Sequence, residues 1–273
     1  MQNIIIPEYL WLYFLRSEWD RETNFYSWGS STIVFSWETF QNLTIMIPPY
    51  YEQAKLVRQY QVISNRIAIK QRINDNLDEI AKILYKQVIE YKSEEDLESI
   101  YSILSVINGG AFSSEFFNTE QIGYPLIRIR DLSSCKPDIY TSENLKSMEY
   151  IHCGDILIGM DGEFIPHIWF GDIGVLNQRV CKVVPVEKFI HPLFLYWTLK
   201  PILAEIQRTQ GGTTVIHIGK KDFDRMQVFR LSKDKHLYFK HRVEPIFTQM
   251  LCNYKEIIKM AEMQALLLSR LSH

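Results

Sequence analysis

The chain has 273 residues, 47% of them hydrophobic and 23% charged, with a formal net charge of −2. That is a globular composition with room for one or two domains and a real core, and it excludes disorder. Its four cysteines (Cys135, Cys153, Cys181, Cys252) form no CxxC pair and its apolar start lacks a basic n-region, so a reduced cytoplasmic protein without structural zinc or signal peptide is expected. No apolar run approaches the roughly 20 residues of a membrane span, so no membrane partner is expected either.

In chain order, residues 4–20 (IIIPEYLWLYFLRSEWD) are a proline followed by an apolar, aromatic helical stretch. Residues 25–35 (FYSWGSSTIVF) place small residues and hydroxyls ahead of an Ile/Val run, and residues 40–47 (FQNLTIMI) read as a Phe-led strand. Pro48 and Pro49 stop that strand, and Glu52 and Gln53 suit the first turn of a helix. From Leu56 the positions Leu56, Tyr60, Ile63, Ile67, Lys70, Asn74, Leu77, Ala81, Leu84, Val88 and Tyr91 follow alternating four- and three-residue steps. Only Lys70 and Asn74 break this coiled-coil seam. A helix over residues 50–92 is on the order of 60 Å long.

Residues 97–232 read as a mixed domain rich in strands. ESIYSILSVINGGAF (98–112) is a strand or helix ending at Gly109-Gly110. YPLIRIRDL (124–132) alternates so that, as a strand, it puts Arg128 and Arg130 on one face. GDILIGMDGEF (154–164) is a strand between Gly-Asp and Asp-Gly turns, and VLNQRVCKVVPV (175–186) is another short strand. A helix follows Pro192 within FIHPLFLYWTLKPILAEI (189–206), then RTQGGTTVIHI (208–218) and the Phe-led FDRMQVFRL (223–231). The tail keeps a second seam at Val243, Phe247, Met250, Tyr254, Ile257, Ala261, Gln264, Leu268 and Leu271, with Pro245 beginning or kinking its helix. Superimposing the two seams sets Lys70 and Asn74 opposite Ile257 and Ala261, whereas an antiparallel pairing has a register the sequence does not assign.

The order of residues 4–47 recurs in residues 189–231, a period of roughly 185 residues. That is too long for a solenoid and indicates two copies of a domain, each followed by a helix, the first copy cut short. Charge is segregated as well: residues 200–242 hold ten Lys/Arg against four Asp/Glu, and residues 90–120 hold seven acids against one Lys. A phosphate-binding surface needs such a local patch rather than a basic total, although solvated charge scattered over the surface reads the same way.

Catalysis finds little support. IPPY (47–50) puts Ile47 where an adenine methyltransferase has the Asn or Asp of its Asn/Asp-Pro-Pro-aromatic tetrapeptide, and no glycine-rich nucleotide loop follows a strand. The carboxylates of Asp155, Asp161 and Glu163 are explained by turn chemistry, and His152, His167 and His191 lack metal-ligand spacing.

The series GYPLIRIRDL, GDILIGMDGEF, VLNQRVCKVVP, FLYWTL and QGGTTVIHIGKKDFDRMQV resembles a target recognition domain of the specificity subunit of type I restriction–modification systems. IPPYYEQAKLV (47–57) resembles the start of that family's spacer helix. The resemblance covers essentially the whole chain and implies an α+β fold: a globular mixed α/β recognition domain plus two long antiparallel coiled-coil spacer helices. It divides the chain into a remnant of a first recognition domain (1–46), a first spacer helix (47–93), a complete recognition domain (94–232) and a second spacer helix (233–273). Two departures stand out: the first domain is only a remnant, and the second copy has LSKDKHLYF (231–239) in place of the Pro-Pro-x-x-Glu-Gln junction.

The family resemblance implies a non-catalytic subunit, without cofactor or metal, that reads one half of a split site in double-stranded DNA. It also implies docking of adenine methyltransferase subunits, to which nuclease/translocase subunits attach. A module that only docks proteins, a homodimer, and a complementing specificity fragment stay open. The residues suit DNA reading. Gly211 and Gly212 expose backbone N–H groups, Thr213 and Thr214 can reach phosphate oxygens, and Lys220 and Lys221 add phosphate attraction. Arg128, Arg130, Gln178, Arg179 and His217 are of types that read base edges. Against this, Gly-Gly-Thr-Thr serves equally as a plain turn, and Arg128 and Arg130 have Asp131 and Glu120 as available partners.

Overall fold

In a computed structural model, which describes residues 5–28, 34–90, 97–209 and 216–272, the seams become two long helices, α4 (Tyr50–Ile89) and α7 (Lys233–Ser269). Tyr91, the last expected seam residue, lies outside the described residues. Pro245 falls inside α7 rather than at its start. Its missing N–H leaves the exposed turn at His241 without one intrahelical bond, which water can replace. The chain divides into two units, Met1–Asn74 with Asn253–His273, and Asp75–Cys252.

In the first unit the parts of α4 and α7 run antiparallel. Gln264 Nε2 donates to Ser64 Oγ at 2.6 Å, Lys70 Nζ to Glu256 Oε1 at 3.0 Å, and Asn253 Nδ2 to Asn74 Oδ1 at 2.7 Å. Lys70 also donates to Asn253 Oδ1 at 2.9 Å. The two polar interruptions of the first seam therefore meet an asparagine from the other helix, not Ile257 and Ala261. Asn253 is fully buried and Asn74 is 4% exposed, so each needs the other's amide to replace lost water.

The same unit holds α1 (Pro7–Phe14), α2 (Ser17–Phe25) and α3 (Trp37–Gln41). Proline begins α1, where its missing N–H costs nothing. Ser36 Oγ caps α3 by accepting from Thr39 N at 3.0 Å. Phe40 thus lies in a short helix and does not lead a strand. Gln53, fully buried, accepts from Ile6 N at 2.8 Å and donates to the Pro48 carbonyl at 2.8 Å. It ties the start of α4 to the start of α1.

The second unit carries three sheets: β1 (Leu97–Ser99) with β11 (Gln227–Phe229); β2 (Leu104–Asn108), β10 (Val180–Pro185), β7 (Ile156–Gly159) and β8 (Pro166–Ile168) in that order; and β3 (Phe117–Asn118), β5 (Tyr140–Thr141), β4 (Tyr124–Ile127), β9 (Gly174–Leu176) and β6 (Tyr150–Ile151) in that order. Among these described strands, pairing is antiparallel except for β4 with β9. Residues 98–112 thus hold the end of β1, one 3₁₀ turn (Ile100–Ser102) and β2, and the run 175–186 is two strands, β9 and β10, belonging to different sheets. Ile127, Leu132, Ile151, Leu157, Trp169, Leu176 and Val180 form a core between these strands. Trp169 satisfies its buried indole by donating to the Asp172 carbonyl at 2.9 Å.

Helix α5 (Pro192–Thr209) buries Leu195, Leu199 and Leu203, at four-residue steps, and packs on β7, β8 and β10. A short helix α6 (Lys220–Arg225) follows and takes in Phe223, so the expected strand begins only at β11. A Pro-led helix opens the stretch before each long helix: α1, α2, α3 and residues 43–47 precede α4, and α5, α6 and β11 precede α7.

Candidate nucleic-acid interface

Four turns of the second unit are tied together by backbone hydrogen bonds. Gly110 N donates to the Leu176 carbonyl at 2.9 Å and Asn177 N to the Ile127 carbonyl at 3.2 Å. These bonds join the Gly109-Gly110 turn, the 177–179 turn and the 128–131 turn. Met160 N donates to Arg179 O and Ile218 N to Met160 O, both at 2.9 Å, and Gly162 N donates to Ile216 O at 3.1 Å. Through them the turn after β7 and the segment from Ile216 join the same cluster. Gly109 is required: a Cβ there would collide with the Asn177 carbonyl. Gly162 is required for another reason, its φ of 81°.

On this frame Gln178 and Arg179 are exposed on the β9–β10 turn, which is why that polar triple interrupts the apolar run. His217 pairs with Asp161 as an isolated antiparallel bridge. Its Nδ1 lies 2.7 Å from Asp161 Oδ1, and Arg179 Nη1 lies 3.5 Å from Asp161 Oδ2. Lys220 and Lys221 are exposed in the first turn of α6. Cations at a helix N-terminus oppose the helix dipole, so local helix stability does not explain the two lysines. Gly211, Gly212, Thr213 and Thr214 lie outside the described residues.

Arg128 and Arg130 do not share a strand face. Strand β4 ends at Ile127, and residues 129–131 form one 3₁₀ turn because Asp131 Oδ2 accepts from Arg128 N at 2.9 Å. Arg128 Nε then reaches Asp131 at 3.0 Å, and its guanidinium also meets Asp138. Burial works to lower the Arg128 pKa, but the two carboxylates outweigh it and hold the guanidinium above its ordinary range. Arg130 is exposed on the same turn. Lys182, polar in an apolar run, is buried rather than displayed: its Nζ donates to the Tyr150 carbonyl at 2.9 Å and pairs with Glu149 and Asp155.

The family model described as the type I restriction modification DNA specificity domain matches residues 1–79 and 93–229. The chain belongs to that family. It is 35% identical over 123 residues to the type I restriction enzyme EcoBI specificity subunit of Escherichia coli, a match taking in 45% of this chain and 26% of that subunit. The chain thus covers about a quarter of that relative's length. The crystal structure of the type I restriction-modification system S subunit from M. genitalium has a TM-score of 0.57 over 98% of this chain and 73% of that one, at 13% identity, and so shares its fold. For the HsdS subunit from Thermoanaerobacter tengcongensis the TM-score is 0.46 over 99% of this chain and 71% of that one, at 15% identity. Among the described residues no helix is long and apolar enough to cross a membrane.

Of the residues expected to contact DNA, the structure gathers Gln178, Arg179 and His217 on adjoining turns, with Arg130 on a neighbouring one and Lys220 and Lys221 close after His217 in sequence. Arg128 is withdrawn into its carboxylates. Asp161, which holds two members of the cluster, was read only as a turn residue. Its partners lie 18 and 56 positions away, and nothing local marks it.

Proposed function

We propose that this chain is the DNA sequence-specificity subunit of a type I restriction–modification complex. Residues 94–232 read one half of a bipartite target, and the helices at 47–93 and 233–273 are spacers that set the gap and dock adenine methyltransferase subunits. Nuclease/translocase subunits join through the complex, and this chain itself performs no catalysis. The observation that carries the reading is the cluster of exposed Gln178, Arg179, His217 and Arg130 on hydrogen-bonded turns, followed by Lys220 and Lys221. Donors and acceptors on rigid turns can reach base edges, while the lysines hold phosphate.

The test is co-expression with a methyltransferase subunit and mapping of methylated adenines on genomic DNA. A defined split motif is expected. A stable complex that methylates nothing would leave only a protein-docking module. The Lys220→Ala, Lys221→Ala double variant should weaken binding to every DNA sequence alike and lower the slope of log K against log salt by about 1.8. An unchanged slope, read by anisotropy on an arbitrary duplex, removes both lysines from the phosphate contacts.

One observation favours a complemented first domain. In the second copy β11 pairs with β1 and His217 with Asp161. In the first copy, residues 43–47 join no ladder among the described residues, Met46 is 79% exposed, and Val34 bridges Trp28 instead. A segment supplying the counterparts of β1 and of the 160–162 turn would complete it. Residues 1–46 are then one part of a first recognition domain. An asymmetric motif would support completion by different residues, and a palindrome would support a homodimer built on two copies of residues 94–232.

A further inference from the structure

We infer that Asp161 is a positioning residue that presets the readout of two base-contacting side chains, so that His217 presents a hydrogen-bond acceptor and Arg179 a donor fork. The inference rests on the DNA-reading proposal above. Asp161 sits in the Gly-terminated turn after β7, its side chain three-quarters buried, with one carboxylate oxygen for each partner: Oδ1 toward His217 Nδ1 at 2.7 Å, Oδ2 toward Arg179 Nη1 at 3.5 Å. The two partners come from different segments, the β9–β10 turn and the stretch from Ile216, and both side chains are about half exposed.

A carboxylate only accepts, so the hydrogen lies on His217 Nδ1, and the Nδ1–H tautomer leaves Nε2 as an acceptor. An acceptor there selects the exocyclic amino group of adenine or cytosine and meets a repulsive lone pair on guanine O6 or thymine O4. The backbone bridge between Asp161 and His217 and the bond from Ile218 N to Met160 O fix the ring's origin. Arg179 is held by one Nη at an ion-pair distance, which leaves the rest of its fork for a guanine edge. Asp161 therefore sets both the orientation and, for His217, the hydrogen-bonding sense of the contact.

The experiment compares motifs enriched from a random-sequence duplex pool by the full chain and by Asp161→Ala, alone and in a His217→Ala background, with thermal melting recorded for each. The wild-type chain should fix an adenine or cytosine at a position that His217→Ala makes degenerate. Asp161→Ala should relax that position by about tenfold or more and should relax Arg179's position too, while leaving other positions, the salt slope and the melting temperature unchanged. Adding Asp161→Ala to His217→Ala should cost nothing further at the His217 position. If Asp161→Ala enriches the wild-type motif, the positioning role is overturned while DNA reading stands. If it weakens every position alike, Asp161 is merely structural and the inference again falls. If the wild-type chain enriches no motif, the DNA-reading proposal and this inference fall together.

Discussion

Replacing His191 by Asn will flatten the acid limb of the stability profile, by about 2 kcal/mol between pH 7 and pH 5 relative to the unsubstituted chain. His191 is 3% exposed at the N-terminus of α5, packed edge-on to Phe247 and Phe239. Its Nδ1 accepts from Leu193 N at 3.1 Å, so it caps the helix as a neutral ring. Desolvation, with the Lys240 ammonium nearby, brings its pKa down to about 4. Glu244 lies 3.5 Å from Nε2, but it is more than half exposed, and water screens it too well to reverse the effect. The helix dipole opposes a positive charge at this end as well.

The sign follows from which state binds the proton. The unfolded imidazole titrates at its ordinary 6.5, and the folded one at about 4. The stabilisation is complete above pH 6.5 and is lost progressively as pH falls toward 4, by about 3 kcal/mol in all. Asn offers Oδ1 as an acceptor for Leu193 N without a titrating group. Its lost ring contacts lower stability at every pH, so the slope is the readout, not the midpoint. Urea unfolding of both proteins at half-unit pH steps decides it; parallel profiles from pH 7 to 5 would show that His191 does not titrate on unfolding.

How much of this was legible in the sequence depended on the distance over which each feature is encoded. The seams of α4 and α7 were readable because a 3.5-residue repeat is local and sustained. The turn at residues 129–131 was not. Alternation in YPLIRIRDL predicts a strand, and only the Asp131 carboxylate, folded back on Arg128 N, converts its end into a turn. The division of β9 from β10 was hidden because Asn177-Gln178-Arg179 contains neither Gly nor Pro. The Phe223 and Phe40 segments read as strands, yet both residues sit in short helices opened by Asp222 and Ser36, which satisfy free N–H groups. The site was legible as a set of residue types, but its geometry is tertiary. Asp161 gains its meaning only when Arg179 and His217 arrive from other segments, and Arg128 loses its expected role to Asp131 and Asp138.

The layer formed by Lys70, Asn74 and Asn253 should behave oppositely under one substitution and under three. Asn253→Leu alone removes one hydrogen bond of a buried Asn74 and one of two acceptors of Lys70. Loss of a hydrogen bond to a buried amide, with a lysine half-satisfied beside it, costs about 2–3 kcal/mol by urea unfolding. Replacing all three by leucine instead leaves no polar group to desolvate and should restore or exceed the original stability. What the triple variant loses is register. Nine of the eleven seam positions in the first helix are already apolar, so without the polar layer a slip of one heptad along α7 opposes leucine-like residues again at little cost. Cysteines substituted for Ser64 and Gln264, whose side chains now meet at 2.6 Å, should be bridged readily in the unsubstituted background by a short thiol-reactive crosslinker that replaces the length lost from Gln264. In the triple-leucine background the same pair should close in only part of the population, with uncrosslinked chains or larger assemblies making up the rest. Full, fast closure in both backgrounds would mean that the two helices are held in register by their ends, not by this layer. Under the proposed function the distinction matters, because a spacer that measures the gap between two half-sites works only while its helices cannot slide.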